Sequence, residues 1–375
     1  MRFIDLQKQY KTLKKEIDSS IQDVLNKGSF IMGKEVAQFE AKLAKYTERK
    51  NCITCANGTD ALQLLYMAYG IGLGDAIFCP DVTFIATIEP ACMLGATPVF
   101  CDIDLLTYNI CTKSLKSQIK AVIDEGELLP KAVVVVDFLG NPCNYDSLEI
   151  ICKEYGLILI EDAAQSIGAE FCGKKCGSFG HSATTSFFPA KPLGCYGDGG
   201  AILTDDDNLA NILQSLRVHG KGPGGKYDNI RVGVNSRLDT IQAAILLPKL
   251  KALQEYEMTN RQIIAKRYND ALKQHFVTPH VDDNSLSVYA QYAMLAEDRT
   301  ERDFIVEHLN NRNIPNMVYY PTPLHMLPVF KDVRNYNEDF NNSTNYCART
   351  LSLPMHPYLN EDEQERIVKA VLEDI

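Results

Sequence analysis

Apolar side chains recur along the chain at two spacings, and each spacing predicts a different element. Residues 8–26 and 34–46 place apolar side chains three and four positions apart, which predicts helices, and Gly28 and Gly33 interrupt them. From residue 50 to about residue 205, short apolar runs alternate with helical stretches. This alternation is typical of an α/β domain with a mainly parallel sheet.

The clearest strand–helix–strand unit lies in the middle of this region. AVVVVDFLG (132–140) predicts a buried strand, NYDSLEIICKEYG (144–156) an amphipathic helix, and LILIEDAA (157–164) the next buried strand. Functional groups gather at the carboxyl ends of such strands. Asp137 and Asp162 both lie there, and we therefore expect chemistry at this edge of the sheet.

A smaller second lobe is predicted after this domain. A Gly-rich loop (219–225) precedes a long helical stretch, roughly 238–273, in which Pro248 predicts a kink. Beyond it, short strands and helices are mixed. We expect a large domain over residues 1–240, which includes the helical N-terminal segment, and a linking helix with a small C-terminal α+β domain over residues 241–375.

Composition narrows the class of protein. Hydrophobic residues make up 46% and charged residues 23% of the 375 positions, the profile of a soluble globular protein. A formal net charge of −10 argues against nucleic-acid binding, which depends on clustered Lys and Arg. The N-terminal segment lacks the apolar core of a signal peptide, and no apolar run is long enough to span a bilayer. We expect no nucleic-acid partner and no membrane association.

The twelve cysteines do not predict a disulfide framework or a metal site. Most lie within apolar stretches, where Cys behaves as a small buried hydrophobe. Cys52 and Cys55 have C-x-x-C spacing but no second ligand pair, and Cys172 and Cys176 merely flank a turn. We expect reduced thiols, no bound metal and a cytoplasmic location.

One lysine stands out in SATTSFFPAKPLGCYGDGG (182–200). Lys191 lies between a strand-like run and a loop with four glycines. An amine that forms a Schiff base needs an apolar wall that lowers its pKa, and Phe187 and Phe188 could supply one. The alternative is a surface lysine beside a flexible turn.

Three further segments favour the catalytic interpretation. Asp162, in EDAAQSIGA (161–169), could keep the ring nitrogen of a pyridine cofactor protonated, or it could be a helix N-cap. ANGTDALQLLYMAYG (56–70) places a Gly-Thr turn at the start of a helix, which suits a phosphate, although many helices begin in this way. Phe84 in VTFIAT (82–87) could stack on a planar ring or belong to the core.

Taken together, these segments resemble the DegT-type sugar-nucleotide aminotransferases, which have the aspartate-aminotransferase fold (pyridoxal-phosphate fold type I). The resemblance covers nearly the whole chain, from FIDLQKQY to LPMHPYL. Its motifs occur in the family's order and spacing: NGTDAL, TFIAT, EDAAQSIGA, SFFPAKPLGCYGDGGA and GVNSRLDTIQAAIL. The resemblance implies that the cofactor is pyridoxal 5′-phosphate.

The resemblance also implies roles for individual residues. Lys191 would bind the cofactor covalently and act as the acid and base for proton transfer, and Asp162 would pair with the pyridinium nitrogen. Gln165 would lie beside the cofactor's 3′-oxygen, and Phe84 would stack on its ring. The phosphate ligands would be Gly58, Thr59 and Ser186. Asn235 would reach the phosphate from a neighbouring subunit, which implies a homodimer with shared sites; alternatively, Asn235 is a turn residue.

The substrate is implied by a finer resemblance. FFPAKPLGCYGDGGA and YYPTPLHMLPVF (319–330) look most like enzymes that act on UDP-2-acetamido-2-deoxy-3-oxo-glucuronate for bacterial surface polysaccharides, usually with L-glutamate as donor and 2-oxoglutarate as its product. Arg237 would face the carboxylates, or form a salt bridge at the dimer interface. Tyr319 and His325 would contact the sugar, or pack the small lobe. The loop at 219–231 would cover the nucleotide, or be a disordered surface loop.

Some other functions stay open, and others are disfavoured by the sequence. A dTDP-3-keto-6-deoxyhexose 3-aminotransferase uses the same chemistry, and a 4-keto sugar is a further alternative. The related sugar 3-dehydratases have His where this chain has Lys191, which argues against them. A dinucleotide oxidoreductase needs glycines between a strand and a helix, whereas GIGLGDA (70–76) follows a helix. A catalytically silent binding or regulatory protein on the same scaffold is the alternative from another class.

Overall fold

The structure is a computed structural model that describes residues 1–373 apart from positions 226 and 337. Its strands, in chain order, are β1 (Asn51–Cys55), β2 (Asp75–Pro80), β3 (Thr97–Cys101), β4 (Leu129–Val136), β5 (Ile158–Asp162), β6 (Glu170–Phe171), β7 (Lys174–Lys175), β8 (Ser182–Ser186), β9 (Gly200–Thr204), β10 (Ser285–Leu286), β11 (Tyr292–Leu295) and β12 (Thr350–Leu353). Its α-helices are α1 (Leu6–Lys27), α2 (Lys34–Tyr46), α3 (Gly58–Ala68), α4 (Glu89–Met93), α5 (Thr112–Glu125), α6 (Tyr145–Tyr155), α7 (Asp207–Leu216), α8 (Thr240–Ala252), α9 (Met258–Leu272), α10 (Arg299–Asn311), α11 (Asn341–Arg349) and α12 (Glu361–Leu372).

Seven strands form one sheet in the spatial order β1-β9-β8-β5-β4-β2-β3. Strands β2, β3, β4, β5 and β8 are parallel to one another, whereas β9 is antiparallel to both β8 and β1. Asp162, the last residue of β5, pairs with Val136, the last residue of β4, and on its other side with Thr184 of β8, so it lies at the carboxyl ends of β4 and β5. The mainly parallel sheet predicted from the sequence is confirmed.

Helices cover both faces of this sheet, which explains the unbroken apolar run of β4. Ala132 and Val134 belong to the hydrophobic cluster that includes α3 and α7, while Val133 and Val135 belong to the cluster that includes α5 and α6. All four side chains are fully buried. A strand that is buried on both faces has no polar side to alternate with.

The strand predicted over residues 132–140 is shorter at its carboxyl end than its sequence indicates. It ends at Val136, and Phe138–Gly140 form a 3-10 turn instead. Leu139 in this turn has a left-handed φ of 59°, and its N–H donates to Gln165 Oε1 at 2.8 Å. The prediction was wrong here because an apolar run does not distinguish a buried strand from a buried turn.

The long helical stretch predicted after the Gly-rich loop is α8 and α9, joined by a π-helical turn at Leu253–Glu257. Helix α8 continues through Pro248, and the departure from α-helical geometry lies at that π turn rather than at the proline. Single π turns of this kind are a common irregularity of long helices. The fully buried side chains Ala243, Leu246 and Leu250 pack α8 against α2 and the large-lobe sheet.

The small lobe is built around the antiparallel pair β11–β12. Apolar side chains of α9, α10 and α12 pack against these strands in a separate hydrophobic cluster. The strand predicted at 291–295 is confirmed as β11, whereas the domain division at residue 240 stays a prediction. Among the described residues, none of the helices has both the length and the apolar character needed to cross a membrane.

Candidate active site

Eight of the predicted site residues line one cavity of about 410 Å³ at the carboxyl edge of the sheet. Seven of them come from four separate segments of the large lobe, and one comes from the small lobe. They are Gly58, Thr59, Phe84, Asp162, Gln165, Ser186, Lys191 and Tyr319. Asn235, Arg237 and His325 do not line this cavity within the described chain. Residues that are far apart in the sequence thus meet at the predicted edge.

Lys191 lies on the loop that leads from β8 back to β9. The loop is tied to its own start, because Phe187 N–H donates to Gly199 O at 2.7 Å and Cys195 N–H donates to Phe187 O at 2.8 Å. The N–H of Lys191 donates to Phe188 O at 2.9 Å, which fixes where the side chain leaves the backbone. Burial lowers the pKa of Lys191 from 10.5, and the charge of Asp162 partly opposes this shift. A lysine with a lowered pKa is a better nucleophile at neutral pH.

Asp162 ends β5 and is buried. Its Oδ1 accepts a hydrogen bond from Ala164 N–H at 3.1 Å, and its Oδ2 accepts one from Thr87 Oγ1 at 3.0 Å. Burial raises the pKa of Asp162 from 3.8, while these two hydrogen bonds and the charge of Lys191 lower it. A buried carboxylate in this environment favours a cationic partner such as a pyridinium nitrogen.

Thr87 was not predicted from the sequence, although it positions the key carboxylate. Its hydroxyl donates to Asp162 and lies 2.9 Å from Thr83 Oγ1, and both threonines line the cavity. The two hydroxyls are four residues apart in VTFIAT, across the 3-10 turn Ile85–Thr87. That spacing is the only signal in the sequence, and it does not indicate that the partner is Asp162.

The amino end of α3 lines the side of the cavity at which the sequence predicts a phosphate, which we call the phosphate side. Asn57 caps the helix by accepting Asp60 N–H at its Oδ1, at 2.7 Å. The first helical residue is Gly58, and a Cβ there would lie only 2.7 Å from the Cβ of Ser186. Glycine is therefore required where α3 meets the end of β8. Free N–H groups at a helix start, with the Ser186 hydroxyl beside them, suit a phosphate.

Asn235 and Arg237 lie beside this helix start without entering the cavity of their own chain. Ser236, between them, is fully buried: its Oγ accepts Ala56 N–H at 3.0 Å and donates to Asp60 Oδ2 at 2.6 Å. Asn235 is exposed and Arg237 is half-buried. The two predicted residues are thus fixed near the phosphate side while their side chains remain available to another molecule.

The small lobe closes the opposite side of the cavity through Tyr319 and Tyr320. The ring of Tyr320 lies 6.3 Å from that of Phe84, which is the ring predicted to stack on the cofactor. His325 lies further along the same segment: its Nδ1 is 2.6 Å from Asp81 Oδ2, and its N–H donates to Asp81 Oδ1 at 2.8 Å. In this chain His325 holds the small-lobe segment to the end of β2.

Asp137, the other carboxylate predicted at this edge, does not line the cavity. Its Oδ1 accepts hydrogen bonds from Cys143 N–H at 2.9 Å and Tyr145 Oη at 2.6 Å, and its Oδ2 accepts one from Ser166 Oγ at 2.7 Å. It is one of three buried groups that lie close together, with Glu161 and Cys176. Because its oxygens are already bonded by protein donors, we assign Asp137 a structural role.

Several cavity residues were not predicted from the sequence. They are Ile4, Asn57, Thr83, Thr87, Asp198, Gln291 and Tyr320. Asn57 had a signal, since it precedes the Gly-Thr turn as a helix cap should. Ile4 and Gln291 had none, because only the fold brings the N-terminal segment and the small lobe to this cavity.

These residues fit a pyridoxal phosphate. The cavity offers a helix start that is open to a phosphate, a buried carboxylate that favours a cation, and an amine whose pKa burial has lowered. The fold and this set of groups define a fold type I aminotransferase that depends on pyridoxal 5′-phosphate. The chain belongs to the DegT/DnrJ/EryC1/StrS aminotransferase family, whose model matches residues 11–372. The family and cofactor implied by the motifs are confirmed.

Similar proteins extend over almost the whole chain. A Pseudomonas aeruginosa relative named UDP-2-acetamido-2-deoxy-3-oxo-D-glucuronate aminotransferase is 44% identical and covers 96% of each chain. A relative from Aneurinibacillus thermoaerophilus, dTDP-3-amino-3,6-dideoxy-alpha-D-galactopyranose transaminase, is 39% identical over 98% of each chain. The crystal structure of a Brucella abortus family member is 46% identical, covers 99% of this chain and 98% of its own, and superposes with a TM-score of 0.96.

Proposed function

We propose that this enzyme moves an amino group from L-glutamate to C3 of UDP-2-acetamido-2-deoxy-3-oxo-glucuronate, in the synthesis of a bacterial surface polysaccharide. The observation that carries the proposal is the 44% identity to a relative with that named activity. The geometry supports it, since Lys191, Asp162 and the α3 helix start share one cavity and supply an amine, a carboxylate and a phosphate site.

In the proposed reaction, Lys191 transfers a proton and Asp162 holds the cofactor's ring nitrogen. When bound, pyridoxal phosphate supplies an electron sink that makes a proton on the adjacent carbon acidic. Lys191 takes this proton from the α-carbon of the amino donor and delivers it to the cofactor carbon C4′. Its lowered pKa and its place in the cavity favour this transfer. Asp162, held by Thr87 and Ala164, keeps the ring nitrogen protonated.

A homodimer with shared sites forms part of the proposal. Asn235 is exposed within one chain, and its neighbour Ser236 anchors it beside the phosphate side. Apolar side chains of nearby segments are also exposed: Val232 is 87% exposed and Ile230 54%. Two exposed apolar side chains within five residues of Asn235 suit a contact with another protein surface. We assign that surface to the second subunit, which would bring its own Asn235 to the phosphate.

The charges of the cavity support a role for Arg237 across the same interface. Among the described lining residues, Lys191 is the only cation, whereas Asp162 and Asp198 are both acidic. L-Glutamate and a UDP-linked uronate bring several negative charges. Arg237 of a second subunit would supply a planar guanidinium for a carboxylate. Tyr319 lines the cavity and remains the proposed sugar contact; His325 would reach a sugar only if its bond to Asp81 changed.

A dTDP-3-keto-6-deoxyhexose 3-aminotransferase is the second candidate, because the 39% identical relative has a named substrate of that class. The chemistry at Lys191 would be the same, and a 6-deoxy sugar would not need the carboxylate contact of Arg237.

We also propose a cytoplasmic location. All twelve cysteines are free thiols, as expected in a reducing compartment.

The direct test incubates purified holoenzyme and L-glutamate with a panel of 3-keto and 4-keto sugar nucleotides, with product analysis by mass spectrometry and NMR. We expect amination at C3 of the 3-oxo uronate. Conversion of the 6-deoxy sugars alone would favour the second candidate. The Lys191→Ala variant is the control, and it should lose both turnover and the visible absorbance of the bound cofactor; normal turnover in this variant would contradict the assignment.

A further inference from the structure

Gln291 is a buried polar residue in the active site that the proposed chemistry does not use. It immediately precedes β11 in the small lobe and is 9% exposed. It lines the active-site cavity, and its side-chain amide forms no hydrogen bond with any described residue. Leaving a buried amide unpaired costs stability, so such a group in a native site calls for a partner.

The backbone of Gln291 is held firmly against the large lobe. Val288 N–H donates to Gly140 O at 2.9 Å, and the N–H of Gln291 itself lies 3.5 Å from Leu139 O. The N–H of the same Leu139 donates to Gln165 Oε1 at 2.8 Å. Gln291 and Gln165 are therefore fixed on either side of one residue, and both line the cavity.

The two ends of the Gln291 amide have different surroundings. Its Oε1 is fully buried, and the residue also lines a second cavity of about 10 Å³ with Tyr108 and Asn141. Such a volume has room for one water molecule. The side-chain nitrogen is not fully buried, and it can therefore serve a ligand in the larger cavity.

We infer that the Gln291 side-chain nitrogen donates a hydrogen bond to an oxygen of the bound substrate, on the side of the cavity that holds Gln165. This inference rests on the proposed aminotransferase function. The oxygen belongs either to the carboxylate of the amino donor or to the keto sugar. Both are hydrogen-bond acceptors, and the two half-reactions of the enzyme distinguish them.

The test compares Gln291→Met with wild-type holoenzyme, because Met keeps a similar length and removes the amide. Each half-reaction is followed separately through the cofactor's absorbance, first with L-glutamate alone and then with the keto sugar nucleotide alone. We expect kcat/KM to fall about 5- to 100-fold in one half-reaction, with little change in the other. A loss with L-glutamate assigns the contact to the donor carboxylate, and a loss with the sugar assigns it to a sugar oxygen.

Two further variants separate a ligand contact from a structural effect. Gln291→Glu keeps the shape of the side chain and replaces the N–H donor with a charged acceptor, so it should impair the same half-reaction. This variant provides the test if Gln291→Met folds poorly. Gln364→Met is the matched control, because Gln364 is a buried small-lobe residue with an unpaired Oε1 that does not line the cavity. It should leave both half-reactions unchanged.

Specific outcomes would overturn the inference. Gln291→Met could show wild-type rates in both half-reactions, or an equal loss in both. Either result would contradict a hydrogen bond from Gln291 to one particular substrate. Calorimetric titration with the UDP-linked product gives a readout apart from turnover: if the sugar is the partner, the Met variant should bind the product correspondingly more weakly. If the wild type itself transfers no amino group, the proposed function fails and this inference fails with it, which is a different result from an active but insensitive enzyme.

Discussion

Lys191 and Asp162 share a cavity in which burial acts against the charge of each. Burial lowers the pKa of the lysine and raises that of the aspartate, and their mutual attraction offsets only part of either shift. Both shifts favour the neutral forms of the two side chains. Burying two ionisable groups destabilises a folded protein, and such groups are typical of sites that bind a ligand. A cofactor with a cationic ring nitrogen and an aldehyde suits this pair.

This cost leads to a prediction for Asp162→Asn. Because the pKa of Asp162 is raised in the folded protein, its contribution to stability is full below pH 3.8 and is lost as pH rises through the folded pKa. Asn keeps one oxygen for Ala164 N–H, and its Nδ2 can donate to the Thr87 hydroxyl in place of the second oxygen, but it has no charge. We expect the cofactor-free variant to melt at a higher temperature than the cofactor-free wild type at pH 7.5, while transamination falls by about 100-fold or more.

Thermal melts with and without cofactor, together with the turnover rate, check this expectation. Thr204→Val serves as a control for a buried polar group outside the cavity, since it should not affect turnover. A cofactor-free Asp162→Asn variant that is less stable than wild type would show that the carboxylate is structural.

Lys249 gives a prediction of pH dependence. Its Nζ donates to Gly194 O on the Lys191 loop and lies 4.5 Å from the ring centre of Tyr196, and its side chain is fully buried. Burial lowers the pKa of Lys249 to about 8 from 10.5. Between these values the folded protein binds fewer protons than the unfolded chain, so the free energy of unfolding should rise with pH.

Relative to Lys249→Met, the wild type should gain on the order of 3 kcal/mol across this window. Denaturant unfolding of both proteins from pH 7 to 10 measures the difference and cancels the other titrating groups. Lys251→Met, an exposed position on the same helix, should follow the wild-type curve. Parallel curves for wild type and Lys249→Met would refute the shifted pKa.

The sequence predicts single residues well only where their partners are close in the chain or where a family motif names them. Lys191, Asp162 and Gly58 carry such signals, and the structure places all three in the cavity. Thr87 and Gln291 carry no such signal. Thr87 bonds to Asp162, which is 75 residues away, and Gln291 reaches the cavity only because the small lobe packs against the large one. Long-range packing, rather than local pattern, decides which polar side chains reach a site.

At the scale of helices and strands, the sequence predicts best those elements whose apolar residues follow a single spacing. The helix predicted at 34–46 matches α2 at both ends, because an amphipathic stretch between Gly33 and a polar turn has little alternative. The end of β4 was mispredicted, since Phe138–Gly140 are as apolar as the strand. The π turn after α8 also had no signal in the sequence, whereas the proline that did signal a kink is accommodated inside the helix.

The junction between β1, α3 and β9 gives a prediction at this scale. A Cβ on Gly200, at the start of β9, would lie 2.3 Å from Asn57 O and 2.8 Å from Gly58 N. Gly200→Ala must therefore push the Asn57–Gly58 turn, the proposed phosphate site, away from the sheet. We expect a loss of about 1–3 kcal/mol in the free energy of unfolding and weaker cofactor binding.

Urea unfolding and cofactor titration measure the two effects. The control is Gly72→Ala, where the nearest atom to the new Cβ, Leu94 O, is at an ordinary 3.5 Å. It should change neither quantity appreciably. A Gly200→Ala variant with wild-type cofactor affinity would show that the turn moves without affecting the phosphate site.

At the scale of the whole molecule, the cavity of one chain carries few positive charges for the anionic substrate that we propose. Its described cavity contains two aspartates and a single lysine, while Asn235 and Arg237 lie outside it beside the helix start. The fold of one subunit follows from its own sequence pattern. In the dimer that we propose, a second subunit completes the site, and the hydrophobic pattern of one chain signals this assembly only through exposed apolar side chains such as Val232.

Complementation between two inactive variants tests this assembly. Lys191→Ala lacks the catalytic amine, and Asn235→Asp would place a negative charge beside the cofactor's phosphate. In a dimer with shared sites, a mixed pair contains one site with both wild-type residues, because Lys191 comes from one chain and Asn235 from the other. Freely exchanging equal amounts of the two variants should restore about a quarter of wild-type activity, since half the dimers are mixed and each has one intact site. Co-expression with two different affinity tags isolates the mixed dimer, whose activity should be about half that of wild type. If each subunit instead builds its site alone, the mixed dimer will be no more active than its parents, and Asn235 will be only a turn residue.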